Sequence, residues 1–121
     1  MLYTNVLPTN ILIGDTVPLT FEVSQPDGDP YDLTDNTVEF FVKRSRQDSD
    51  DAALIHATLT SGIVFTYTAS QGVVTVTLTN DRTALLRYGR LYYWQLRITN
   101  PAGQVFTPEE GTFLALNDGP M

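Results

Sequence analysis

The stretch LYYWQLRIT, residues 91–99, decides how the chain is read. Tyr92, Trp94, Leu96 and Ile98 fall on one parity; Leu91, Tyr93, Gln95 and Arg97 fall on the other. Side chains of a strand alternate between its two sides, so this run is a strand with one side in a core. The side that carries Trp94 is the more apolar and is expected to face inward. Just upstream, NDRTALLRYG (80–89) is the single helix-like piece. Asn80 or Asp81 is suited to cap its start, its two leucines can turn inward, and Gly89 can end it.

The same alternation recurs in both directions from this strand. Val17, Leu19, Phe21 and Val23 alternate with Pro18, Thr20, Glu22 and Ser24. Pro18 has no N–H to give a ladder, which marks an edge strand or a bulge. QPDGDP (25–30) has turn chemistry, and TVEFFVKR (37–44) resumes the pattern with Val38, Phe40 and Val42 inward. SRQDSDDAA (45–53) breaks it and is expected to be a mobile loop. LIHATL is a short strand, and IVFTYT and VVTVTLTN form a hairpin through Gly72. After NPAGQ, two further strands are expected in VFT and GTFLAL. The sum is an all-β chain. The expectation is an immunoglobulin-like two-sheet β-sandwich of about seven to nine strands with one short helical turn, with a closed barrel as the alternative. One such domain spans 10–121; residues 1–9 form an N-terminal arm or a first strand.

Composition narrows the chemistry. The 121 residues carry fourteen acidic and seven basic side chains, a formal charge of -7. Duplex nucleic acid and anionic membrane surfaces are bound largely through Lys and Arg, so neither is expected as a partner. No run approaches the roughly 20 apolar residues that cross a bilayer. The opening MLYTNVLPTN lacks a basic, then apolar, leader, and the reading is of a soluble protein made in the cytoplasm. There is no cysteine, which removes disulfides, thiolate metal sites and thiol nucleophiles.

The candidate sites are few. His56 is the only histidine, lies in a strand, and has no companion motif for catalysis or zinc. Asp27, Asp29, Asp32 and Asp35 share one loop, but DGDPYDLTD lacks the EF-hand order, so turn and capping roles are expected. Asp32 or Thr34 is expected to bond to backbone N–H groups after that turn. Glu109 and Glu110 are adjacent on a strand and point to opposite sides. No catalytic residue, metal or cofactor is expected. Phe41 and Tyr93, with Tyr67, fall on the outer parity and are expected to be exposed aromatics in a protein contact. Leu2, Tyr3, Val6 and Leu7 make the arm apolar, and they too are candidate contact residues.

The order of pieces is itself informative. IGDTVPLTF, DGDPYDLTDNTVEFFVKR, an acidic loop with ALI, GVVTVTLT, GRLYYWQLRI and GTFLAL follow one another. This order resembles the immunoglobulin-like domains of tailed phages, such as the N-terminal domain of the baseplate upper protein, over roughly residues 10 to 116. The motifs that carry it are Gly14-Asp15-Thr16, Asp32-Leu33-Thr34 with Thr37-Val38, and Gly89 ahead of Tyr92-Tyr93-Trp94. The resemblance implies a non-enzymatic virion protein made in the host cytoplasm. It would serve as an assembly or decoration module of the capsid surface, neck, tail or baseplate. Its partners would be other virion proteins and copies of itself. The alternative expectation is a carbohydrate-binding adhesin module contacting the host surface.

Overall fold

The computed structural model describes residues 10–117. The strands are β1 (Asn10–Ile13), β2 (Val17–Glu22), β3 (Thr37–Lys43), β4 (Ile55–Thr58), β5 (Ile63–Phe65), β6 (Val73–Leu78), β7 (Leu91–Thr99) and β8 (Val105–Asn117). They form a five-stranded sheet in the order β1-β8-β7-β3-β4 and a three-stranded sheet in the order β2-β6-β5. All pairings are antiparallel except β1 with β8. With β3, β7 and β8 in one sheet and β2, β6 and β5 in the other, this is the strand arrangement of an immunoglobulin-like sandwich. Among the described residues each sheet keeps two separate edge strands, which is a sandwich and not a closed barrel.

The alternation read in the sequence is the alternation of burial. Tyr92, Trp94, Leu96 and Ile98 join Leu19, Phe21, Val23, Val38, Phe40, Val42, Val74, Val76 and Leu78 in one buried cluster between the sheets. Immunoglobulin domains pin their sheets with a disulfide and a tryptophan. Here, without cysteine, three rings meet: Phe21 of β2, Phe40 of β3 and Trp94 of β7, with centroids 5.8–6.0 Å apart. Two residues before Trp94, the Tyr92 hydroxyl accepts a hydrogen bond from the Arg87 backbone N–H at 2.8 Å. That is a tyrosine corner, closing the crossover into β7.

The connections have local causes. Pro18 lies on β2, an edge strand, as its missing N–H requires. Gly14, at a φ of 87°, turns β1 into β2, and Asp32 Oδ1 accepts from Thr34 N at 2.9 Å. The helix α1 is one turn, Asn80–Thr83, and its cap is Thr79 rather than Asn80 or Asp81. Thr83 Oγ1 donates to Asp15 O (2.7 Å) and accepts from Gly14 N (3.1 Å), which ties α1 to the β1–β2 turn. VFT and GTFLAL are not two strands but one, β8, with a register shift against β7 between Leu96 and Ile98. Gly111 does not interrupt it. It faces Trp94, and a Cβ there would sit only 3.2 Å from the indole Nε1.

Candidate functional site

The outer face of the five-stranded sheet carries the residues that the core does not use. Register places His56, Phe41, Gln95 and Glu110 in one row across β4, β3, β7 and β8. Lys43, Tyr93 and Thr112 form the next row, and Glu39 and Arg97 flank the first on its other side.

Phe41 and Tyr93 do lie on this outer face, as their parity requires, but neither is exposed. Phe41 is 1% exposed and Tyr93 8%. The expectation that they are exposed aromatics is corrected here. Long polar side chains cover what the second sheet does not. The His56 ring stacks on Phe41 at 4.3 Å between centroids, and the Arg97 guanidinium sits 4.4 Å from the ring centre. The Lys43 ammonium lies 5.3 Å away. These are cation–π distances, and the stems of Lys and Arg supply the apolar cover.

The lid is held by the loop that the sequence suggested would be mobile. Asp50 starts a one-turn 3-10 segment, Asp50–Ala52, and reaches back over the sheet. Its carboxylate takes Arg97 Nη1 at 2.7 Å and Nη2 at 3.2 Å, a bidentate pair, and Lys43 Nζ at 2.8 Å. Lys43 Nζ also donates to Asp48 O at 3.1 Å. The hydrogen bonds from Arg97, then from Lys43, hold the Asp50 carboxyl well below its usual range, and Asp50 raises Arg97 in return. Gln95 fits with its amide oxygen toward Arg97 Nε (3.0 Å) and its amide nitrogen donating to Tyr93 Oη (2.9 Å). Burial, then the charge of Glu110, pushes the Tyr93 phenol up. His56 Nε2 pairs with Glu39 at 2.8 Å at the margin of the lid.

Beyond the lid the face changes character. Leu91 opposes Leu114, and Leu12 opposes Leu116. Tyr92, Phe113, Ile11 and Ala115 point into the core, so these four leucines point outward. Leu91 is 61% exposed, and the other three are half-buried. This strip, which sequence reading missed, is the apolar patch of the outer face. Leu91 also walls a groove of about 390 Å³ lined by Arg44, Arg46, Tyr93, Glu110 and Thr112, where Arg46 and Glu110 pair at 3.0 Å. The signal for the strip was in the sequence: Leu114 and Leu116 alternate with Phe113 and Ala115, but a leucine reads as core until its sheet neighbours are known.

The remaining candidates fall elsewhere. Tyr67 is 70% exposed and stands beyond β5, at the three-stranded sheet, so it does not join Phe41 and Tyr93. Asp27 and Asp32 accept from the backbone N–H groups of Asp29 and Thr34, which is turn chemistry. Among the described residues no group of three or more His, Asp or Glu side chains is placed to hold a metal ion. No helix among them is long and apolar enough to cross a membrane. Leu2, Tyr3, Val6 and Leu7 lie outside the described residues. Compared with known proteins, the chain matches no protein-family model and no curated sequence.

Proposed function

We propose that this chain is a non-enzymatic structural protein of a tailed-phage virion, an immunoglobulin-like module that assembles on or decorates the capsid surface, neck, tail or baseplate. The observation that carries the assembly reading is the leucine strip Leu12, Leu91, Leu114 and Leu116, outward on a sheet whose other half is sealed by charged side chains. An apolar patch bordered by a polar surface is the anatomy of a protein contact. The virion setting is supported by the ordered motifs that resemble tailed-phage domains. In such a particle many copies act together, so each contact can be weak and the array still hold.

The carbohydrate-binding alternative has little to stack on in the groove beside Leu91, where Tyr92 and Tyr93 are both buried. It would be served better by a second groove of about 270 Å³, lined by Glu22, Ser24, Gln71 and the exposed Tyr67. Assembly is the preferred reading because the leucine strip and the ordered motifs support it together. The test is to look for the protein in purified particles by mass spectrometry and to place it by cryo-EM. The expected result is stoichiometric occupancy that Leu91→Glu with Leu116→Glu abolishes. Specific glycan binding without any affinity for virion proteins would overturn the proposal.

A further inference from the structure

The second groove, at the three-stranded sheet, plays no part in assembly through the leucine strip. It lies where β2 ends and β6 begins, and two turns build it. Backbone hydrogen bonds hold the turns together: Val23 N donates to Gly72 O at 2.8 Å, Tyr31 N to Val23 O at 2.9 Å and Leu33 N to Ala69 O at 2.9 Å. Gly72 has a φ of 72°, and a Cβ there would sit 2.6 Å from Val23 O and 2.7 Å from Tyr31 O. Glycine lets the 3-10 turn Ala69–Gln71 pack this closely on the turn that follows β2. Thr66 N donates to Val73 O at 3.0 Å, which fixes the residue before Tyr67. The groove is therefore formed before any ligand arrives. Tyr67, 70% exposed, is the most open of the described aromatics and forms one of its walls.

The lining selects a class of ligand. Among the described residues no lysine or arginine lines this groove, so nothing there grips a phosphate or a carboxylate. Its one carboxylate, Glu22, is too few for a metal ion. What it offers is an open aromatic face beside a carboxylate that accepts, an amide that donates and accepts, and a hydroxyl that does both. A pyranose ring is the complement: a flat face of C–H bonds and a rim of hydroxyls. We propose that this groove binds one neutral pyranose unit of a saccharide, its ring against Tyr67 and its hydroxyls on Glu22, Ser24 and Gln71. Glu22, with Asp27 and Asp29 in the adjoining turn, repels uronic and sialic acids. The volume is just under the roughly 300–1,000 Å³ of drug-sized sites, which suits one ring and not a long chain. The site goes beyond the assembly reading and does not rest on it. The leucine strip lies on the other sheet beside the β1–β2 turn, whereas the groove lies at the far end of β2. A copy docked by its strip keeps the groove open to solution, and an array of copies multiplies a weak single-site affinity.

The test is a titration of the full chain, followed by amide NMR shifts, with the methyl glycosides of glucose, galactose, mannose and N-acetylglucosamine. At least one of them is expected to bind in the millimolar range and to move the amides of Glu22–Ser24 and Tyr67–Val73 while leaving the leucine strip unmoved. Tyr67→Ala should weaken that binding by roughly tenfold or more, and Tyr67→Phe should keep it, because the ring face and not the hydroxyl makes the contact. Both changes are at an exposed side chain, and circular dichroism melting verifies that each variant is folded. The absence of any shift at these amides with all the glycosides at about 50 mM would overturn the site, since an affinity that weak carries no recognition. So would shifts confined to another surface, or undiminished binding by Tyr67→Ala. Equal binding of the methyl glycoside of N-acetylneuraminic acid would overturn the assignment to neutral sugars. Leu91→Glu with Leu116→Glu should leave the titration unchanged. If the protein occupies particles and no glycoside binds, the groove fails and the assembly reading stands. If a glycoside binds at the groove and the protein is absent from particles, the groove stands and the virion reading fails.

Discussion

The ring of Phe21 lies 5.8 Å from the indole of Trp94, tilted by 41°, and joins β2 of one sheet to β7 of the other. The two residues occupy the place where an immunoglobulin domain has its cross-sheet disulfide. The pin here is aromatic, so it depends on packing, and Phe40 completes it from β3.

Trp94→Ala should therefore cost about 3–5 kcal/mol, measured by urea denaturation. Trp94→Phe should cost far less. The indole Nε1 is buried and has no hydrogen-bond partner among the described residues, so its removal relieves a desolvated donor while losing part of the packing. Native tryptophan emission should be that of a buried indole; emission at the wavelength of an exposed one would show that the Trp94 side is not the core side.

Tyr92→Phe isolates the tyrosine corner. The ring stays in the core against Phe113 at 5.8 Å, and only the acceptor for Arg87 N–H is lost. The expected cost is about 1–2 kcal/mol, seen as a lower urea midpoint with an unchanged slope. An unchanged midpoint would mean that the hydroxyl does not support the crossover.

Phe41→Ala separates a covered aromatic from an exposed contact residue. Under its lid of His56, Arg97 and Lys43 the ring should cost about 3 kcal/mol to remove. A surface contact residue would change stability by no more than about 0.5 kcal/mol. Leu91→Glu should behave in that second way, because Leu91 is largely open to solvent.

Asp50→Asn tests the clasp. Lys43 is 4% exposed, and Asp50→Asn removes the negative charge beside its ammonium and leaves one amide oxygen where two carboxylate oxygens accepted from Lys43 and Arg97. A loss of about 1–3 kcal/mol is expected near neutral pH. The sign with pH follows from the lowered carboxyl: the native state holds Asp50 ionised more strongly than the unfolded chain does. Its stabilisation is full above the unfolded Asp value of about 3.9 and is lost as pH falls below that value toward the lower folded one. The difference between wild type and Asp50→Asn should hence be flat from pH 5 to 8 and shrink in acid. A difference that grew in acid would contradict the clasp.

Much of this was legible before any coordinates. The parity of Tyr92, Trp94, Leu96 and Ile98, the edge position of Pro18 and the turn at Asp32 all follow from local rules, because strand alternation and backbone hydrogen bonding are set within a few residues. The cap of α1 was misplaced by one residue, since Thr79, Asn80 and Asp81 are all competent acceptors and only the path of the chain selects among them. The candidate site was legible only in part: Phe41 and Tyr93 were assigned to the correct face but with the wrong exposure.

The sequence by itself determined the all-β class, most of the strands and the side each strand residue faces, because those properties have short periods and short range; the separation into two sheets and the joining of VFT with GTFLAL into one strand came from the tertiary structure. Tertiary structure alone decided what lies over the outer face. Phe41 is buried because Arg97 and His56 come to it from β7 and β4, and because Asp50, 47 residues before Arg97, fixes the guanidinium in place. Leu91 and Leu114 form a strip because antiparallel register sets them opposite each other. Exposure is a property of neighbours distant along the chain, and no local pattern encodes which neighbours those are.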